Sequence, residues 1–249
     1  MGSQGDVRVE LVTKADDIAR CFEIAAKIFG TQTADNIWMA WNPGWDTPEG
    51  KAAGIARMRR HWATATVDQA GNLNTIYLKA TVLTDEGEVI AGMAVWLQGS
   101  IVPGYGDAPE ADLVKALDLD TLYPGDASAH RYICQLTESL FKQRNECIIE
   151  AASRSPPAIM IADTCGVDPA FRGRGIGSKL TQRGLDEAVR RGGLESVMEA
   201  SVAGRPVWSQ LGFKQDGPEI EYHLDDEFRD RRLPSNFFMR TGRPRNVKL

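Results

Sequence analysis

No segment of this chain is apolar and uninterrupted enough to cross a bilayer. The longest stretch without a charged residue, Val89 to Gly106, is broken by Gln98, Pro103 and four glycines, too polar a composition for a membrane helix. Cysteine is scarce as well. The four present, Cys21, Cys134, Cys147 and Cys165, lie far apart with no C-x-x-C pair, and only Cys134 has a histidine nearby, His130. That pattern excludes a disulfide scaffold and a structural metal site, and it reads as reduced thiols in a cytoplasmic protein. There is no excess of positive charge: 29 Lys and Arg stand against 34 Asp and Glu, a net charge of −5. No general attraction to nucleic acid or to a membrane surface is therefore expected. The segment Met1 to Glu10 carries three charges and no apolar core, so no secretory signal is read there, and Asp6 stands where a myristoylation signal needs Ser or Thr. The chain also lacks internal repeats.

What is there is the composition of a folded protein. Of its 249 residues 43% are hydrophobic and 25% charged, ample for a core, and residues 1–249 are read as a single domain. Val7 to Val12 alternates as a strand does, and a helix is expected from Ala15 to Phe29 with Thr13 as its N-cap. Thr47-Pro48-Glu49 opens a second helix, with Ile55, Met58, Trp62 and Ala65 at helical spacing. Thr75 to Thr84 and Val89 to Gln98 form a hairpin around Asp85-Glu86-Gly87-Glu88. Gly99 to Asp126, rich in Gly, Pro and Asp, reads as a long functional or mobile insertion with a helical turn near Leu113 to Leu117. A long helix follows, with Ile133, Leu136, Leu140, Phe141, Cys147, Ile148 and Ala151 as its inner stripe and Ser155-Pro156-Pro157 as its stop. Then come a strand Ala158 to Val167, a helix through Ile176, Leu180, Leu185 and Val189 ending at Gly192-Gly193, and a strand Leu194 to Ala200. A short helix Arg205 to Leu211 and strands near Ile220 to Leu224 and Asn236 to Arg240 complete the pattern, and Arg240 to Leu249 reads as a solvated basic tail.

The most informative stretch is Val167-Asp168-Pro169-Ala170-Phe171-Arg172-Gly173-Arg174-Gly175-Ile176-Gly177, between a strand and a helix. Three glycines in five residues let backbone N–H groups approach an anion, while the positive helix end and Arg172, Arg174 and Lys179 favour phosphate. The expected ligand is a pyrophosphate. Position 178 is Ser, so the Rossmann spacing G-x-G-x-x-G is not met, and there is no Gly-Lys-Ser/Thr triplet for a Walker loop. Taken alone, the loop could also be no more than a tight turn with exposed arginines.

Here the sequence resembles the GCN5-related N-acetyltransferase (GNAT) superfamily, whose acyl-coenzyme A loop, Arg/Gln-x-x-Gly/Ala-x-Gly/Ala, is matched by Arg172, Gly175 and Gly177 behind Val167 and Pro169. A second match follows in the strand Leu194 to Ala200 and in Val207-Trp208-Ser209-Gln210-Leu211-Gly212-Phe213, similar to the family's helix ending in Leu-Gly-Phe. The order of elements agrees over about residues 7 to 242. The resemblance implies an α+β fold of three layers, α/β/α, around a seven-stranded, mixed, mostly antiparallel sheet whose fourth and fifth strands splay apart to admit pantetheine. It implies acetyl-coenzyme A as co-substrate and no metal. By position, the main chain of Cys165, Gly166 and Val167 would hold the thioester carbonyl and pantetheine, and Arg172, Gly173, Arg174, Gly175, Ile176, Gly177 and Ser178 would hold the pyrophosphate. N–H groups aimed at the thioester oxygen would stabilise the developing oxyanion.

An alkylammonium titrates near ~10.4 and must lose a proton before it attacks, so a carboxylate base is expected. Asp163, set among apolar residues of the fourth strand, and Glu199, at the end of the fifth, are the candidates. Glu199 could instead cap a turn or pair with Arg205. One departure from the family concerns the acid. Where many members have a Tyr able to protonate the departing thiolate, this chain has Trp208, which would only shape the cleft beside the thioester. A thiol of ordinary acidity, about 8.5, can leave without a dedicated acid.

The acceptor is read as a small-molecule amine attacking the thioester directly. A protein or peptide N-terminus, and a non-catalytic acyl-coenzyme A-binding or regulatory module, are the alternatives, and a homodimer is left open. Trp38, Trp41 and Trp45 fall within eight residues, either an aromatic wall for the acceptor or ordinary linker packing. The insertion carries Asp107, Glu110, Asp112, Asp118, Asp120 and Asp126 against Lys115 alone, either a lure for a cationic acceptor or a solvated loop.

Overall fold

A computed structural model describes residues 7–202 and 204–242. Most of the basic tail and the first six residues, on which the signal readings partly rest, lie outside the described residues. Within them, seven strands form one sheet in the order β1-β2-β3-β4-β5-β7-β6: β1 Arg8–Leu11, β2 Thr75–Thr84, β3 Gly87–Gly99, β4 Ile159–Val167, β5 Glu195–Ser201, β6 Lys214–Glu219 and β7 Asn236–Arg240. Every neighbouring pair is antiparallel except β4 and β5, as the family resemblance implies.

Helices cover both faces. The period-two alternation of β3 sends Ala94 and Trp96 to one face, where α7 (Ile176–Arg190) packs through Ile176, Leu180 and Ala188. Met93 and Val95 point to the other, against Ile18, Cys21 and Ile24 of α1 (Ala15–Ala25). On that same face α6 (Ala127–Ala151) lays Cys147, Ile148 and Ala151 on Ile159 and Ile161 of β4 and Val197 of β5. The strands thus read as apolar on both sides because both sides are roofed.

Several elements depart from the sequence expectation. Thr13 is not the N-cap of α1: Lys14 holds that position without a side-chain cap, and the first turn is tied down instead by Lys79 Nζ donating to Asp17 at 2.7 Å. The helix continues past Ala25 as a π-helical segment, Ala26–Gln32. The linker before the second expected helix holds a further one, α2 (Asn36–Trp41), capped by Asp35, ahead of α3 (Pro48–Ala63), whose Thr47 cap is as expected. The penultimate strand is Lys214–Glu219, not Ile220 to Leu224. All six of its residues are exposed on a sheet edge, so no apolar alternation marks it. Ile220, Tyr222 and Leu224 instead join the cluster of Tyr132, Ile133 and Phe228.

The acidic stretch from 99 to 126 is packed rather than loose. It forms two single turns, α4 (Leu113–Ala116) and α5 (Leu119–Leu122). Leu119 is fully buried with Ile37 and Leu136, and the Tyr123 hydroxyl donates to Ala40 O of α2 at 2.8 Å. Much of its charge is structural. Asp112 and Asp126 cap α4 and α6, and Asp107 accepts from Thr66 and Asn74.

Candidate active site

The parallel pairing of β4 and β5 is short. Ile159, Met160 and Ile161 pair with Glu195, Ser196 and Val197. From Ala162 on, β4 keeps its bonds to β3 alone, and β5 keeps its own to β7. The two strands splay, leaving one edge of β4 without a strand partner among the described residues, and such an edge accepts an extended ligand as an added strand. The divergence coincides with a bulge. Val95 pairs with Thr164 and Trp96 with Ala162, so Asp163 is the extra residue. A bulge re-aims side chains: Ile159 and Ile161 face α6 and Asp163 reaches it, while Cys165 and Val167 turn to the α7 face.

Beyond Val167 the chain makes the turn the sequence suggested. Asp168, 3% exposed, accepts from Arg20 Nη2 at 2.5 Å, from Lys27 Nζ at 2.9 Å and from Ala170 N at 3.1 Å. These donors hold its carboxyl at about 2, below the usual range, against the opposing effect of burial. The cap leads through a short 3₁₀ turn, Pro169–Phe171, into Gly173 and Gly175. Their φ values of +76° and +71° are strained for any residue with a side chain. Gly177 is already in α7, and a Cβ there would meet only Val167, at 3.7 Å. Its open flank faces the cleft.

That cleft has a volume of about 610 Å³. Cys165, Gly166, Val167, Arg172, Gly173, Gly175, Ile176, Gly177, Ser178 and Trp208 line it, and so do Asp163 and Glu199. Arg174 does not line it: its guanidinium lies 5.4 Å from the ring centre of Phe171. Arg172 bonds Gln32 at the end of the π-helical segment, and Lys179 Nζ reaches Val7 O at 3.3 Å. The Cys165 thiol is pushed up to about 12 by burial, so it is no thiolate nucleophile at neutral pH. Trp208, on α8 (Arg205–Gln210), is buried in the wall. No tyrosine lines the cleft among the described residues. Ser201 does, with its oxygen accepting from Gly204 N.

The two carboxylates meet on a residue the sequence reading did not single out. Arg144 of α6, 6% exposed, donates through Nε to Glu199 Oε1 at 3.0 Å and through Nη2 to Oε2. Its Nη1 lies 3.0 Å from Asp163 Oδ1. Glu199 therefore pairs with Arg144, not with Arg205. Burial raises the Glu199 carboxyl, Asp163 adds to the rise, and Arg144 offsets only part of it. Asp163 keeps 26% of its side chain exposed against 5% for Glu199. The only sequence signal for Arg144 was a charge on a helix just C-terminal to Leu140 and Phe141 of the inner stripe, and charges on helices are ordinarily solvated.

The remaining wall is aromatic. Trp38 lies 6.1 Å from Phe29, nearly parallel, and packs on Phe22 and Trp45 as well. Trp41 packs on Phe141 at 5.8 Å and donates to Thr137 Oγ1. Trp38 and Trp41 line the cleft and Trp45 does not. Asp35 lines it too, its Oδ1 accepting from Ile37 N and Trp38 N. Burial raises its carboxyl above the usual range, partly countered by those two N–H groups.

Residues 149–223 match the family model of an acetyltransferase (GNAT) domain. Over 77 residues the chain is 36% identical to N-alpha-acetyltransferase RimI of Mycobacterium tuberculosis (strain ATCC 25618 / H37Rv), a match that covers 30% of this chain. The chain spans about half the length of that curated relative, 48%. Among solved structures it is similar to a mosquito arylalkylamine N-acetyltransferase like 5b, with 12% identity, coverage of 94% and 99% of the two chains, and a TM-score of 0.59. It is also similar to the Drosophila melanogaster polyamine N-acetyltransferase that forms N-acetylagmatine, with 14% identity, coverage of 94% and 98%, and a TM-score of 0.56. These structural likenesses concern the fold.

Proposed function

We propose that this chain, which belongs to the GNAT superfamily, is an acyl-coenzyme A-dependent N-acetyltransferase that moves acetyl from acetyl-coenzyme A to the primary amine of a small molecule. The observation that carries this reading is the junction of three features in one cleft: the unpaired edge of β4, the glycine turn entering α7, and a carboxylate pair where the strands part.

Each part has a chemical task. The free edge of β4 near Cys165, Gly166 and Val167 offers main-chain groups to pantetheine and to the thioester oxygen. The N–H groups from Arg172 to Ser178, at the positive end of α7, offer a cradle to the pyrophosphate. Asp163, open to the cleft, takes the proton that the acceptor ammonium must lose, and Arg144 holds Asp163 and Glu199 in place. The amine nitrogen then attacks the thioester carbon directly and the thiol leaves. Direct attack agrees with the protonated Cys165 thiol, which is unsuited to carry acetyl. Departure without a tyrosine acid agrees with a leaving thiol of about 8.5.

The aromatic and acidic side chains lining the cleft favour a small amine, as do the named activities of the two similar structures. The match to RimI favours a second reading, acetylation of a peptide N-terminus. The four cysteines are all free thiols, which suits a cytoplasmic setting. Thiol release from acetyl-coenzyme A, screened over arylalkylamines, polyamines, amino sugars and peptides, tests all of this. Turnover with small amines is expected. Turnover with peptides alone would replace the acceptor, and tight binding of acetyl-coenzyme A without thiol release from any of them would leave a binding module.

A further inference from the structure

Three carboxylates line the cleft, and they are not equivalent. Asp163 and Glu199 share the guanidinium of Arg144. Asp35 makes no ion pair with any lysine or arginine among the described residues, although it lies in the cleft wall where burial works against its charge. Phe29, Trp38 and Trp41, the aromatic residues nearest to Asp35 in the chain, line the cleft as well, as do Phe141, Phe171 and Trp208. A carboxylate and aromatic rings lining one cleft suit an organic cation: the rings offer their negative faces and the carboxylate a counter-charge.

We propose that Asp35, with Phe29 and Trp38, forms a cation subsite in the acceptor half of the cleft, and that the acceptor is a primary amine carrying a second cationic group away from the reacting nitrogen. This rests on the N-acetyltransferase reading above and narrows its substrate class. One amine loses its proton near Asp163, at the gap between β4 and β5, while the other remains charged at Asp35. The packed acidic segment serves this wall indirectly: Leu119 and Tyr123 hold α2, whose first turn carries Asp35 as its cap.

Capping alone would explain why Asp35 is there, but a cap needs an acceptor oxygen and no charge. Asn and Ser cap as well as Asp does. Asp35→Asn and Asp35→Ser therefore separate the two roles. The probes are hexamethylenediamine and hexylamine, which differ only in the second amine. The wild type should show a kcat/KM for the diamine at least about tenfold above that for the monoamine, and both variants should lose that ratio, since the charge-assisted contact to the second amine goes with the carboxylate. A wild type with no preference for the diamine, or a preference that survives in both variants, would overturn the inference. If neither amine is acetylated, the acetyltransferase reading is what fails. Calorimetric titration of the same two amines onto the coenzyme A-loaded proteins then reads the same ratio and decides the subsite on its own.

Discussion

Arg144 and Glu199 form a two-point ion pair inside the molecule, Nε to Oε1 at 3.0 Å with Nη2 on Oε2, and neither side chain is more than 6% exposed. The pair bridges α6 and β5 just where β5 leaves β4, and Nη1 extends it to Asp163. Removing one partner of such a pair strands the other. Arg144→Leu should destabilise the fold by about 3–5 kcal/mol, and Arg144→Leu with Glu199→Leu should recover a large part of that loss. Denaturant unfolding of the two variants checks this; a double variant no more stable than the single would contradict it.

Asp163→Asn keeps the shape of the side chain and removes its basicity. It should lower kcat by about 10²–10⁴-fold, with a much smaller effect on KM for acetyl-coenzyme A, and the acidic limb of the pH–rate profile should disappear. A kcat within a few-fold of wild type, with that limb intact, would place the base elsewhere.

Gly177→Glu tests the proposed pyrophosphate cradle without disturbing the turn, because position 177 is already helical and a Cβ there has room. The new carboxylate would face a phosphate. Calorimetry should show coenzyme A affinity falling by about 100-fold or more while the melting temperature stays close to wild type. Unchanged affinity would move the cofactor site.

The Asp168 carboxyl sits at about 2 in the fold against 3.8 for the free side chain. A carboxyl depressed in this way stabilises the fold at pH values above about 4 and loses that contribution as pH falls through about 2. At neutral pH, Asp168→Asn should cost about 2 kcal/mol. Unfolding measured along the acid range should show the gap between wild type and variant closing between pH about 4 and about 2.

Trp208→Tyr restores the phenol that many GNAT members carry. Because the thiol can leave unaided, the change should leave kcat unaltered or raise it, and steady-state thiol release reads which. A wild type that binds acetyl-coenzyme A but turns over only after this substitution would favour the binding module.

Legibility from sequence followed the range of the interaction. The glycine turn was readable because its constraints are local: positive φ at Gly173 and Gly175 and a helix start at Ile176 are properties of consecutive residues. The hairpin β2–β3 and the stripe of α6 were readable from periodicity. Edge strand β6 was misplaced because all its residues face water, and Ile220 to Leu224 looked more like a strand while serving a different cluster.

Sequence by itself thus determined the order of most strands and helices, the glycine turn into α7 and the positions of the two carboxylates, each written in neighbouring residues or in a period of two or of 3.6, while the mixed sheet with its splayed fourth and fifth strands came from the family resemblance and not from any local pattern. Tertiary structure alone decided how those carboxylates are held. Arg144 lies 19 residues from Asp163 and 55 from Glu199 in the chain, and no local pattern says that a helix charge will turn inward to meet a bulge in one strand and the end of another. It likewise decided that Asp35, the cap of a short helix the sequence reading did not foresee, stands in the wall of the cleft, because that depends on the packing of residues 99–126 against α2 and not on the sequence around Asp35 itself.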